Sequence, residues 1–97
     1  ENTNKVLPFI YGEFETDKFL KFKKYIDNSK FEFSNFKSIL FYRYNRWDIL
    51  TVDNILIKLP DTDLPKALNL AYNIKSNEQF KDISVIDLRI ANQIITQ

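Results

Sequence analysis

The chain has 97 residues, 44% hydrophobic and 28% charged, with nine Phe, five Tyr, one Trp and a single glycine. A chain of this length makes one domain that buries roughly 60 to 65% of the surface its unfolded form exposes, so aromatic side chains must fill much of one modest core. Fourteen Lys and Arg against 13 Asp and Glu leave a formal charge of +1, too little for a general field that steers toward nucleic acid or an anionic membrane.

Gly12 falls in an early loop that needs its conformational freedom. Thr16 is read as a capping residue, after which Phe19, Leu20, Phe22, Tyr25 and Ile26 recur three and four apart and predict a helix from about Asp17 to Ile26. Asp27 to Lys37 reads as an irregular connector whose Phe31, Phe33 and Phe36 tuck into the core. Three β-rich runs follow, Ser38–Tyr44, Trp47–Val52 and Ile55–Leu59, separated by Asn45-Arg46 and Asp53-Asn54, which predicts an antiparallel meander.

Pro60 stops the third strand, and Asp61, Asp63 and Pro65 mark the start of a second helix near Leu64. Its stripe is Leu64, Ala67, Leu68, Ala71 and Lys75, with Leu70 and Ile74 beside it, and Ser76-Asn77-Glu78 ends it. Ser84–Ile90 alternates, with Ile86, Leu88 and Ile90 on one face and Val85, Asp87 and Arg89 on the other. After Ala91-Asn92, extended character resumes over residues 93–96, so the chain ends on an exposed sheet edge. The fold class is therefore α+β, a mostly antiparallel sheet of a three-strand meander plus C-terminal strands, packed by two helices.

Chemistry is sparse. The chain has neither His nor Cys, the commonest groups titrating near neutral pH, and without thiols it has no disulfide framework or thiolate metal site. Asp61-Thr62-Asp63 lacks the further ligands and glycine of a calcium loop, and one glycine is too few for a phosphate loop. No enzyme activity, cofactor or metal is expected. Lys18, Lys21, Lys23 and Lys24 form a basic helix side that reads as a solvated face, and no run reaches the roughly 18 apolar residues of a membrane span. Tyr42, Tyr44 and Trp47 interleaved with Arg43 and Arg46 leave open a single-stranded nucleic-acid binder as the alternative, and a small acid–base hydrolase through Asp63 is a minor third reading.

Leu7-Pro8-Phe9-Ile10-Tyr11-Gly12, a helix, Arg46-Trp47-Asp48-Ile49, Ile55-Leu56-Ile57-Lys58-Leu59, a second helix and Val85-Ile86-Asp87-Leu88-Arg89 together resemble the β domain of bacterial FtsQ/DivIB cell-division proteins, from about Val6 to Ile95. The resemblance implies a non-enzymatic divisome scaffold on the extracytoplasmic side of the cytoplasmic membrane. It also implies that residues 1–97 are a fragment of a single-pass protein whose membrane helix and POTRA domain lie outside it. The implied partners are FtsB-like and FtsL-like (DivIC-like) subunits, bound by strand addition at the C-terminal edge. The implied partner-binding residues are Arg89, Ile90 (where an aromatic is common), Asn92, Ile94 and Arg46.

Overall fold

The computed structural model describes residues 7–43, 45–90 and 93–97. Eight elements follow one another: β1 (Phe9–Tyr11), α1 (Thr16–Asp27), β2 (Phe36–Tyr42), β3 (Arg46–Thr51), β4 (Leu56–Lys58), α2 (Leu64–Lys75), β5 (Val85–Asp87) and β6 (Ile95–Thr96). The strands form one sheet in chain order, β1-β2-β3-β4-β5-β6. Pairs β2–β3, β3–β4 and β5–β6 are antiparallel, while β1–β2 and β4–β5 are parallel.

The two parallel pairs explain the layering. Each is joined by a helical crossover, α1 between β1 and β2 and α2 between β4 and β5. Both crossovers step in the same direction across the sheet from strands of the same orientation, so a shared right-handedness puts both helices on one face. Among the described residues, no helix covers the opposite face.

Alternation sorts the side chains accordingly. Ile39, Ile49, Ile57 and Ile86 are directly opposite one another in register and fully buried beneath the helices, with Phe22 and Ile26 from α1 and Ala67, Leu68, Ala71 and Ile74 from α2 packed over them. Trp47 centres the aromatic part of the core: Phe22 stacks on it at 4.5 Å with rings 9° apart, and Phe41, Phe14 and Phe19 surround it at 4.6, 5.6 and 6.2 Å. In the connector, Phe31 and Phe36 are buried and Phe33 is half-buried, and Tyr72 of α2 meets Phe31 edge-on at 5.2 Å.

Four local readings change. The sequence pattern gives no strand before α1, yet Phe9–Tyr11 pairs in parallel with Ser38–Leu40. Gly12 ends that strand at φ 111°, and a Cβ there would lie 2.5 Å from the Phe41 carbonyl oxygen, so its freedom is used for a close approach as well as for a turn. The cap position of α1 belongs to Glu15 rather than Thr16. Asp63 occupies the cap position of α2 in a left-handed conformation, φ 52°, with no side-chain capping bond. The alternating run ends at Asp87, so Ile86 and Leu88 are buried but Ile90 is 57% exposed.

Candidate functional site: the arginine corner and the C-terminal edge

The open face carries a charged row across its middle. Asp48, Lys58 and Asp87 are directly opposite one another on β3, β4 and β5. Two residues further along the same strand lines stand Arg46 and Arg89. Because β3 runs against β4 and β5 runs with it, both arginines lie on the same side of the row, flanking Pro60. The bonds from Leu59 N–H to the Trp47 carbonyl, 3.2 Å, and from Leu88 N–H to the Lys58 carbonyl, 2.9 Å, carry the pairing past the strand ends. With strands about 4.8 Å apart, the two arginine Cα atoms are separated by about 10 Å.

Each arginine is held by the aspartate two residues away in the chain. Arg46 donates through one terminal nitrogen to Asp48 at 2.6 Å, and its guanidinium lies 4.6 Å from the centre of the Tyr42 ring. Arg89 donates through Nε (2.9 Å) and a terminal nitrogen (2.7 Å) to the two oxygens of Asp87, and its backbone N–H donates to Asp87 Oδ1 at 3.1 Å. The two ion pairs differ in setting. Asp48 is buried, and that burial pushes its carboxyl above the ordinary range against the pull of Arg46 and Lys58. The Arg89 hydrogen bonds hold the Asp87 carboxyl below its ordinary range and raise Arg89 itself.

Those directions have opposite effects on stability. A carboxyl depressed in the folded state contributes stability that is present above its unfolded pKa and lost as pH falls through the folded one; a raised carboxyl favours folding as it gains its proton. Asp87→Asn is therefore expected to lower stability at pH 7 and to converge with the parent below the folded pKa of Asp87. Urea midpoints measured from pH 7 to about pH 2 check it, and a constant gap between the two proteins would rule the linkage out.

The sheet edge next to Arg89 is β6. Val85 and Gln97 exchange both backbone bonds, at 3.1 and 3.0 Å, so Asp87 and Ile95 form the next bonded pair and Thr96, opposite Ile86, turns its own N–H and C=O away from β5. Behind this edge is a cleft of about 490 Å³ between Pro60–Asp63, the first turns of α2 and the segment after β5. Ala67, Leu70, Leu88, Ile90 and Ile94 make its apolar lining, and Asp61, Asp63, Lys66 and Arg89 border it.

Arg89, Ile90 and Ile94 thus meet at one end of the domain, with Ile94 half-exposed, and Arg46 joins them from across Pro60. Asn92 lies outside the described residues, as does Tyr44. The residues that sequence reading missed are Asp48 and Lys58. Arg46-x-Asp48 and Asp87-x-Arg89 are mirror-image pairs, but only strand register places Lys58 between them.

Of the three rings of the nucleic-acid alternative, Trp47 is 4% exposed between rings of the core and so offers no stacking surface, Tyr42 is 42% exposed with the Arg46 guanidinium against its ring, and Tyr44 lies outside the described residues. Asp63, the residue of the hydrolase reading, is exposed at the cap position of α2 and makes no side-chain capping bond. Among the described residues, no group of three or more His, Cys, Asp or Glu is placed to hold a metal ion, and no helix is long and apolar enough to cross a membrane.

A mixed sheet backed by two helices, with an arginine corner and a short terminal edge strand, defines the chain as an α+β domain. Residues 1–89 match the family described as cell division protein FtsQ/DivIB, C-terminal. The chain belongs to that family. It is 33% identical over 54 residues to the cell division protein FtsQ of Rhizobium radiobacter, covering 54% of this chain and 26% of that one. The FtsQ of Agrobacterium fabrum strain C58 is likewise 33% identical over 54 residues, covering 54% of this chain and 17% of the relative. The chain thus spans about a quarter or less of the length of these relatives, and the family match ends at Arg89, before β6.

Proposed function

We propose that this domain is a non-catalytic scaffold of the cell-division machinery that binds FtsB-like and FtsL-like (DivIC-like) subunits by accepting a partner strand along β6. In this reading it stands on the extracytoplasmic side of the cytoplasmic membrane, as the β domain of a longer single-pass protein with a POTRA domain upstream. Arg89 pairs with an acidic partner side chain, Arg46 provides a second basic contact, Ile90 and Ile94 give apolar contact, and Asn92 is a further partner-binding residue.

The observation that carries the reading is the free edge of β6. Thr96 turns a backbone donor and acceptor outward that have no partner among the described residues, the two groups an added strand needs, and the side chain of Arg89, on the segment after β5, is half-exposed. A charge at the rim of such an edge raises the association rate and fixes register.

The test is a titration of the domain with the extracytoplasmic segment of an FtsB-like subunit, followed by backbone amide shifts. Shifts concentrated over residues 85–97 support strand addition; shifts confined to β1 or the helices overturn it. Thr96→Pro removes the outward N–H while leaving the bonds between Gln97 and Val85 in place. Its affinity is expected to fall at least about tenfold with the fold intact, given that main-chain bonds supply much of the affinity in strand addition.

A further inference from the structure

The sheet has a second edge. β1 stands at the other end of the strand order from β6, and its segment Leu7-Pro8-Phe9-Ile10-Tyr11-Gly12 contains no charged residue. Leu7, Phe9, Ile10 and Tyr11 are 71, 69, 37 and 53% exposed. Edge strands are ordinarily blunted by charge or covered, yet among the described residues no strand pairs with the outer side of this one.

The bonding pattern shows which backbone groups are free there. Leu59 N–H donates to the Trp47 carbonyl and Thr51 N–H to the Ile55 carbonyl, so Trp47 and Thr51 are turned toward β4. Alternation then turns Asp48 and Leu50 toward β2, where they meet Leu40 and Ser38, and leaves Ile39 turned toward β1. Ile39 bonds the residues on either side of its parallel counterpart, Phe9 and Tyr11, so the N–H and C=O of Ile10 point out of the sheet. Side chains sort separately: Phe9 and Tyr11, in register with Ser38 and Leu40, lie on the face without helices, and Ile10 lies on the helix face.

We propose that two copies of this domain associate through β1, paired antiparallel about a two-fold axis at Ile10. The inference is independent of the strand-addition reading, which concerns the opposite edge. On the axis the free N–H and C=O of Ile10 meet the C=O and N–H of Ile10 in the second copy, the closely spaced bond pair of an antiparallel ladder. Phe9 then lies opposite Tyr11 of the second copy, and Tyr11 opposite its Phe9. This gives two cross-strand aromatic pairs on one face and joins the two Ile10 side chains on the other. A charge-free edge offers nothing for an acidic or basic segment to pair with, whereas it complements itself. The axis is perpendicular to the sheet, so the helices of both copies stay on one face.

The available area sets the strength. Taking about 200 Å² for a whole large side chain, the exposed parts of Leu7, Phe9, Ile10 and Tyr11 amount to about 400 to 450 Å² on each copy. Their full burial gives less than the roughly 1,200 Å² of a stable interface, so the association is weak and reversible.

The experiment is sedimentation equilibrium of the 97-residue chain from about 20 μM to about 1 mM, a range suited to an interface of this size. The average mass of the parent is expected to rise with concentration above the 11.6 kDa of one copy. Phe9→Lys with Tyr11→Lys, and separately Phe9→Glu with Tyr11→Glu, should each weaken self-association at least about tenfold, because like charges then face each other. An equimolar mixture of the two variants should associate again, each Lys now facing a Glu. A parent that stays at the mass of one copy throughout overturns the proposal. So does a mixture that fails to associate, or a dimer that survives both charge variants and disappears in Thr96→Pro, which would lie at β6. Should a charge variant lose its fold, Phe9→Ser with Tyr11→Ser carries the same readout: a dimer as strong as the parent's overturns the proposal.

Discussion

Trp47→Ala is expected to cost about 3 to 5 kcal/mol of stability, the range for removing a large aromatic from a core. The indole is 4% exposed and lies at the meeting point of β3, α1 and the segment after β1, in contact with Phe14, Phe19, Phe22 and Phe41. Alanine leaves a cavity that four rings on three separate segments cannot close together, because each ring is fixed by its own backbone. A loss of this size is a large part of the total stability of a 97-residue domain. Urea unfolding followed by far-ultraviolet circular dichroism checks it. A mutant as stable as the parent that no longer binds partner would instead place Trp47 in the interface.

Arg89→Glu is expected to weaken partner binding at least about tenfold while the domain remains folded. The new carboxylate would lie beside Asp87 and turn the rim of the β6 edge from cationic to anionic, so an acidic partner segment meets repulsion where it met attraction. Most of the loss should appear in the association rate and should shrink as salt rises. Binding kinetics at two salt concentrations distinguish this from a damaged edge, which would raise the dissociation rate at both. An affinity equal to that of the parent would remove Arg89 from the site.

Much of this was legible in the residues. Helical spacing located both helices within a residue or two of their ends, and the meander followed from three apolar runs separated by turn residues. Asn45 and Asn54 hold the left-handed conformations, φ 61° and 68°, that those turns require, and asparagine is among the few non-glycine residues that tolerate them. What escaped depended on partners distant in sequence. Phe9–Tyr11 has no alternation to mark it, since it is a three-residue edge strand and only its pairing with β2 makes it a strand. The early end of β5 is equally invisible in a pattern that continues to Ile90. At the site, Arg89 and Ile90 could be placed by motif, but Asp48 and Lys58 gained meaning only when β3, β4 and β5 were laid side by side.

The order of the strands has a kinetic and dynamic corollary. Each strand is bonded to its neighbours in the chain, so no loop must close around an intervening strand before pairing begins, and the contacts that build the sheet are mostly local. The seven- and six-residue strands β2 and β3 share the longest ladder and form the natural nucleus, from which growth proceeds outward in both directions. Opening should follow the reverse path, so that the two-residue β6 detaches at far lower free energy than the centre. The edge proposed to accept a partner is thus the most weakly held part of the sheet, and an added strand would bind and consolidate it in the same step.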